Sequence, residues 1–514
     1  MKLHKNAASF CFILIFVIFI SADLNSGFHL IQSARADQDD LEELIENDLE
    51  EQIDNDIEAQ LEDDLEEQME EALEAQLEDD LETQIEDDME AQVEKDLDDD
   101  LDDDLEEQNE IDDDLFDDDE RLFSSLIAER NFSDVTLDER NFSRTSGVWL
   151  VLTDQKTLDS LRRMNFGIIS SSPLKGLKKV LVEVVEPDDK DLSDVRNLLY
   201  SVLPDADLVV DYNHIYTYEP EYIGKQSSKN DIKEVLSPHR QPRVLLPLPK
   251  LEKNRIKIGI IDSQVDHNHE ALQNSKITTK SFIKSRTDLP TEHGTAVASI
   301  ISGHSDSYFG LLPKMDLYAA SVFYQEARLG QTAMVTSLIL SLDWMAQVGA
   351  DIINMSLSGP KNEILEATLK QLHEQDILVV AAAGNNGPVG PPLYPAAYDF
   401  TIAVTAVGDK NLAYTVANRG SHIDLAAPGV DIQHAADKNS YSLSSGTSLA
   451  APFVTAITAW ALAEHESPPG TSHDTAAIIE TIYRSAKDLG DPGHDEVYGH
   501  GLVQPLESSM SRQR

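Results

Sequence analysis

Three short stretches, far apart in a chain of 514 residues, hold an acid, an imidazole and a hydroxyl: Ile258-Gly-Ile-Ile-Asp262-Ser263, His293-Gly294-Thr295 and Gly446-Thr447-Ser448-Leu449-Ala450-Ala451-Pro452. A serine hydroxyl is a weak nucleophile until a neighbouring base takes its proton, and an imidazole, which titrates near neutral pH, suits that task. A carboxylate beside the imidazole would orient it and stabilise its protonated form. The linear order Asp, His, Ser is one of those known for such triads. Each residue alone has a plainer reading: Asp262 as a turn residue, His293 as a capping or core histidine, Ser448 as a helix N-cap. Only their conjunction points to acyl transfer.

The elements around them decide whether they can meet. From Ile256 onward short apolar runs alternate with helical patterns. Residues 256–261, 351–355, 377–382 and 400–405 are predicted as buried strands, and 295–302, 332–347, 364–374 and 450–463 as helices. Strands separated by helices imply a parallel sheet covered on both faces. Ligands then sit beyond the carboxyl ends of the strands. Asp262 directly follows an apolar run, while His293 and Ser448 stand where helices are predicted to begin, so all three can share one cleft.

The three motifs resemble those of the subtilases, the subtilisin-like serine peptidases, and separations of about 30 and 155 residues match that family's spacing. Ala381-Ala-Ala-Gly384-Asn385-Asn386-Gly387, Ser356-Leu-Ser-Gly-Pro360, Tyr394-Pro395, Ala426-Ala-Pro428-Gly429 and Tyr498-Gly-His-Gly-Leu-Val503 extend the likeness over nearly all of 256–503. The resemblance implies a subtilisin-like parallel sheet flanked by helices and a serine endopeptidase working through an acyl-enzyme, with Asp262, His293 and Ser448 catalytic. It implies Asn385 as a side-chain donor to the oxyanion and the Ser448 amide as a second donor. It further implies that Ser356, Leu357, Ser358 and Gly359 pair with an extended peptide and, with Ala381, Ala382 and Ala383, line the pocket for the side chain before the scissile bond. No cofactor is required for this chemistry; the family likeness is compatible with a structural calcium ion, but no site is assigned and no metal ligands are named.

Four positions depart from the family pattern. Gln264 replaces a common glycine after the aspartate, Ala296 a frequent second histidine, and Leu449 a common methionine. None removes a proton-transfer group. Leu393 stands where glycine is often found and would narrow the specificity pocket, which favours small or medium apolar side chains.

Ahead of this region, 146–220 reads as β-α-β-β-α-β, the order of a ferredoxin-like open sandwich. Its position before a subtilase region resembles the family's inhibitory prodomain, which packs on the enzyme, assists folding and places its C-terminal tail in the cleft before self-cleavage. The catalytic region is taken as 256–506, with a proline-bearing linker at 221–255 and another at 121–145.

The N-terminus reads as an export signal over 1–36: basic residues, an apolar run from Phe10 to Ile20, and Ala34-Arg-Ala36 before the acidic stretch. The single cysteine, Cys11, lies inside it, so a mature chain would contain no disulfide. A periplasmic or secreted protein with no stable membrane span is expected. Of the net charge of −55, residues 37–120 contribute 46 acids against Lys95 alone, or −45, which leaves −10 for everything else. In this block an apolar residue recurs every fourth position from Leu41 to Leu105, a ridge that winds about 40° per step on a helix and makes no coiled-coil seam. A solvated polyanionic segment, helical or disordered, is expected. Clustered Lys and Arg are absent, which disfavours a nucleic-acid partner. The expected partners are peptide or protein substrates and the chain's own prodomain.

Two other classes compete. Asp266-His267-Asn268-His269-Glu270 carries metal-type side chains without the His-Glu-x-x-His spacing of a zinc peptidase. An inactive relative acting as an anionic binding protein is the non-enzymatic alternative, against which the intact triad stands. The Gly-x-Ser-x-Gly elbow of esterases is missing.

Overall fold

The computed structural model describes residues between Val135 and Pro505, apart from 165, 187–190, 219–221, 224–237, 250, 252–255, 284–288, 314, 327 and 465–473. The expected signal segment and acidic repeat lie outside the described residues.

The first unit contains β1 (Val135–Leu137), β2 (Ser143–Thr153), α1 (Gln155–Arg163), β3 (Ile168–Leu174), β4 (Lys179–Val185), α2 (Leu192–Val202) and β5 (Leu208–Thr217). Strands begin at Val135, so regular structure reaches into the segment read as a linker. Asp154 and Asp191 cap α1 and α2 by accepting from the amides of Thr157 and Asp194. The spatial order β5-β2-β4-β3, antiparallel throughout, is that of a ferredoxin-like sandwich. Side chains alternate between faces along a strand, and here both faces are apolar. Trp149, Val151, Val182 and Val210 pack under α1 and α2, whereas Leu150, Leu152, Leu181 and Tyr216 join a second core.

That second core belongs to the larger unit. After β6 (Tyr222–Ile223) and a single helical turn at Pro242–Leu245 come β7 (Lys257–Asp262), β8 (Lys276–Ser281), α3 (Glu292–Ser302), β9 (Asp316–Ser321), β10 (Tyr324–Glu326) and β11 (Gly330–Met334). Then follow α4 (Val335–Val348), β12 (Ile352–Met355), α5 (Glu363–His373), β13 (Leu378–Ala382), β14 (Ile402–Val407) and β15 (Leu425–Pro428). The chain closes with β16 (Ile432–Ala436), β17 (Ser440–Ser445), α6 (Thr447–Glu464) and α7 (Thr475–Ser485). A seven-stranded parallel sheet runs β15-β14-β13-β12-β7-β9-β8. Ile258 and Ile260 face the core formed with α3, α6 and α7, and Ile261 faces the core formed with α4 and α5. Helix α6 is apolar on every side because it is buried on every side. The order of strands reverses between β7 and β12, which opens a crevice at their carboxyl ends.

One prediction for this region needs correction. Residues 332–334 were expected to open a helix; they form a strand instead, with Thr332, Ala333 and Met334 paired to Thr217, Tyr216 and Ile215 of β5. Hairpin β10–β11 thereby extends the first unit's sheet, and long-range pairing overrides the local helical pattern.

Polar contacts fix the two units together at helix starts. Asp211 accepts from the Glu363 amide at 2.7 Å and Asn213 from the Thr336 amide at 3.1 Å, supplying partners for N-terminal N–H groups of α5 and α4. Asp343 of α4 accepts from the amides of Gly176 and Leu177 at 2.7 and 3.0 Å. A Cβ on Gly176 would stand 2.6 Å from the Asp343 carbonyl oxygen, so this close docking requires glycine.

Between the units His214 is enclosed. Its Nδ1 accepts from Asn362 Nδ2 at 2.9 Å, which leaves Nε2–H to donate to Asp138 at 3.1 Å. Burial holds the imidazole below its ordinary value of 6.5, against the opposing pull of Asp211 and Asp138 and with help from Arg140. Because the folded value lies below the unfolded one, the associated stability is present above about 6.5 and lost as pH falls. A denaturant midpoint that drops between pH 7.5 and pH 5, with a smaller drop in His214→Gln, is expected; equal drops in both proteins would refute this.

Candidate active site

Strand β7 ends at Asp262, which is fully buried beneath the crevice. Its Oδ1 accepts from His293 Nδ1 at 2.7 Å and from the Ser263 amide at 2.7 Å. His293 is the second residue of α3, and the serine after Asp262 holds that helix start: Ser263 Oγ accepts from the Gly294 amide at 2.8 Å. A Cβ on Gly294 would lie 2.3 Å from the Ser263 carbonyl oxygen. Gly294→Ala must therefore push α3 away from β7, with an expected loss of about 1–3 kcal/mol in urea unfolding. A parallel loss of turnover is expected because His293 moves with the helix. Wild-type stability in the variant would contradict this placement.

Ser448 sits in the first turn of α6, which packs against α3. Its carbonyl accepts from Ser356 Oγ at 2.7 Å. A buried polar chain stands behind this contact: Asn354 Nδ2 donates to Ser356 Oγ at 2.9 Å and Thr455 Oγ1 donates to Asn354 Oδ1 at 2.9 Å. Polar groups in a β12 that is otherwise apolar are satisfied in this way. With Nδ1 of His293 committed to Asp262, proton exchange with a serine hydroxyl falls to Nε2.

Asn385 follows β13. Its Oδ1 accepts from both the amide and the hydroxyl of Thr447, each at 3.1 Å. The amide is a donor only, so oxygen must face Thr447 and Nδ2 must face away. That nitrogen is buried and has no partner among the described residues. Gly384, at φ +101°, donates to the Thr447 hydroxyl at 3.1 Å, and the left-handed backbone turns Asn385 toward α6.

The residues expected to bind peptide lie after β12 and at the end of β13. Ser356, Leu357 and Ser358 continue from β12, and Gly359 exchanges two backbone hydrogen bonds with Tyr394. Ala381 and Ala382 end β13 and Ala383 follows; all three are buried. Leu393 is also buried, its Cδ1 lying 2.5 Å from where a Cβ on Gly384 would be. Sequence reasoning missed Ser263, Thr447, Asn354 and Thr455, which act through the named residues; a Ser or Thr next to a motif residue is too common to stand out.

The end of β5 and the residue after it lie against these elements. Thr217, the last residue of β5, exchanges backbone hydrogen bonds with Ser358 at 2.9 and 3.0 Å, and its other edge faces Thr332 of β11. The ring of Tyr218 stacks on His293, with centroids 4.5 Å apart and planes 12° apart. Farther along, Tyr222 and Ile223 pair with Ser445 and Ser444, just ahead of Ser448.

Residues of the competing metal reading are engaged elsewhere. His269 Nε2 donates to the Ser440 carbonyl at 2.8 Å, Glu270 accepts from the Tyr441 hydroxyl at 2.9 Å, and Asp266 accepts from the Asn268 amide at 2.9 Å. Among the described residues, no group of three or more His, Cys, Asp or Glu side chains is placed to hold a metal ion. Nor is any described helix long and apolar enough to cross a membrane.

Fold and site together define the class of subtilisin-like α/β proteins. The profile of the subtilase family matches residues 253–501. The chain is 33% identical over 259 residues to subtilisin of Bacillus pumilus, covering 49% of this chain and 89% of that protein. To the minor extracellular protease Epr of Bacillus subtilis it is 32% identical over 257 residues, which cover 49% of this chain and 38% of the relative. Among solved structures, the epidermin leader peptide processing serine protease of Staphylococcus aureus aligns with a TM-score of 0.54 and 17% identity, over 72% of this chain and 99% of that one. At that identity the likeness is one of fold. The chain belongs to the subtilase family, although it spans well under two thirds of the length of Epr.

Proposed function

We propose that this protein is a serine endopeptidase made as a precursor whose residues 146–220 act as a prodomain. Asp262 orients His293, His293 takes the Ser448 proton during attack, and Asn385 Nδ2 with the Ser448 amide receives the oxyanion. The observation that carries this reading is the extended segment ending in Thr217 and Tyr218, paired to Ser358 and laid over the Asp262–His293 pair. A cleft that binds a backbone edge to edge is built for peptides, and here the occupant is the chain's own tail. That occupancy supports inhibition in the precursor, with the apolar face of β2, β4 and β5 anchoring the inhibitor. The alternative, an inactive anionic binding protein, is not favoured, since every group the chemistry needs is present.

The proposal keeps the domain limits expected from sequence, except that the prodomain unit is taken to begin with the strand at Val135. Export is consistent with the extracellular relative and with the leader-like start of the chain. No cofactor takes part, and calcium remains unassigned.

Processing tests the reading. The full chain, incubated alone, is expected to acquire a new N-terminus within the segment after Tyr218, and His293→Ala to keep the original one. Unchanged processing in His293→Ala would sink the precursor model. Leu393 adds a second expectation: peptide anilides with Ala or Leu before the scissile bond should outrun those with Trp by about tenfold or more. Equal rates would show that Leu393 does not shorten the pocket.

A further inference from the structure

Of the side chains in the proposed machinery, Asn385 alone stands outside a strand or helix. Thr447 fixes the rotation of its amide, but the direction in which the side chain leaves the loop depends on the backbone. Planar peptides leave only φ and ψ free, so that direction is set by the two peptide groups on either side of the Asn385 Cα. Both are bonded to one residue, Asn418. The Asn418 amide donates to the Gly384 carbonyl at 2.9 Å, and Asn418 Oδ1 accepts from the Asn386 amide at 2.8 Å. On the far side of the loop, Asn418 Nδ2 donates to the Pro391 carbonyl at 2.9 Å. These partners settle how the side chain lies, because its oxygen must face a donor and its nitrogen an acceptor. Next to it the Gly387 amide donates to the Val416 carbonyl at 2.8 Å. Asn418 is fully buried. A buried amide is costly unless its polar atoms find partners, and an apolar side chain of similar volume would fill the space without that demand. What the polar atoms add is a clamp across the loop that carries Asn385.

We propose that Asn418 is a positioning residue for the reaction: through the peptide groups flanking Asn385 it holds Nδ2 of that side chain where the oxyanion forms. The proposal rests on the peptidase reading and deepens it, assigning a role to a group that touches neither substrate nor the reacting atoms. A donor stabilises a developing charge best when it is already aimed, because no reorganisation is then needed at the moment of reaction. A misplacement of about 1 Å can cost about 10²-fold in rate. The oxyanion exists in the transition state and not in the bound substrate, so loss of the clamp falls on kcat and spares KM.

A double-mutant cycle tests it. The full chain is assayed with one peptide anilide, and competent sites are counted by fluorophosphonate labelling taken to completion, so that kcat refers to folded enzyme. Asn418→Leu keeps the volume and removes both side-chain contacts; kcat is expected to fall about 10- to 10²-fold, with KM within about twofold. Beside Asn385→Ala the same substitution should lower kcat by less than about threefold, since no donor remains to be misplaced. A second variant reaches the clamp from the loop. A Cβ on Gly390 would stand 3.0 Å from Asn418 Nδ2, so Gly390→Ala must press on that amide. The smaller displacement should cost about threefold in kcat, and nothing beside Asn385→Ala. Equal losses from Asn418→Leu with and without Asn385, a loss confined to KM, or full kcat in both Asn418→Leu and Gly390→Ala would overturn the proposal. Unchanged kcat in Asn385→Ala would sink the oxyanion reading and this proposal together, whereas additive losses from Asn385→Ala and Asn418→Leu sink this proposal alone.

Discussion

Ser448→Ala is expected to lower peptide hydrolysis about 10⁶-fold, the magnitude known for the serine knockout of subtilisin, a member of the same family, and not a value derived from this geometry. The substitution removes the only hydroxyl that the proposed mechanism uses as a nucleophile. It leaves the surrounding structure in place, because Ser448 is tied to Ser356 through its carbonyl and Thr447 to Asn385 through its amide and hydroxyl. Unfolding midpoints should therefore stay close to wild type. Adding His293→Ala to Ser448→Ala should cost little more, since a base without its nucleophile has no proton to take. Initial rates with a peptide anilide, measured beside urea unfolding of each variant, separate lost chemistry from lost structure. A loss that tracks unfolding would remove the support for a catalytic Ser448.

Asn385→Ala carries the second largest effect. Its expected cost is about 10²–10³ in kcat with KM nearly unchanged, a magnitude that again comes from the corresponding asparagine of subtilisin. The physical reason is visible in this chain. Thr447 holds Oδ1 and thereby aims Nδ2, which is buried without a partner among the described residues. A buried donor aimed away from the protein's own acceptors is a group that a developing oxyanion can engage. Asn385→Ala also takes the acceptor away from the Thr447 amide and hydroxyl, so a stability loss of about 1–3 kcal/mol is expected beside the fall in turnover. Asn385→Asp keeps the shape but sets a negative charge where the oxyanion forms, and a larger drop is expected. A loss of kcat fully accounted for by the unfolded fraction of Asn385→Ala would mean that the side chain serves packing instead.

Much of this site could be read from residue types because its chemistry is concentrated in local motifs. Asp262 ends an apolar run, and the structure makes that run β7; the motif around Ser448 precedes a largely apolar stretch that becomes α6. The β-α-β-β-α-β order of the first unit was legible for the same reason, as alternating patterns over short windows report local structure. What escaped depends on partners distant in sequence. Residues 332–334 carry a helical pattern, yet β5 draws them into a sheet. Strand β8 is polar and largely exposed, with Lys276 and Lys280 on a sheet edge, so no apolar pattern announces it. Asp343, inside a largely buried helix, has no evident purpose until the Gly176 turn docks on it. Above all, Tyr218 is one tyrosine among 14 in the sequence. Only the pairing of Thr217 with Ser358 gives it a place over His293.

The central claim is that Ser448 is activated by His293, and covalent labelling tests it most directly. Treatment of the full chain with a fluorophosphonate, followed by peptide mapping in a mass spectrometer, should yield a single adduct on Ser448. The same treatment of His293→Ala should yield almost none, with hydrolysis lost in parallel. A label on another residue, equal labelling of the His293→Ala chain, or hydrolysis that continues once Ser448 is fully modified would contradict the account.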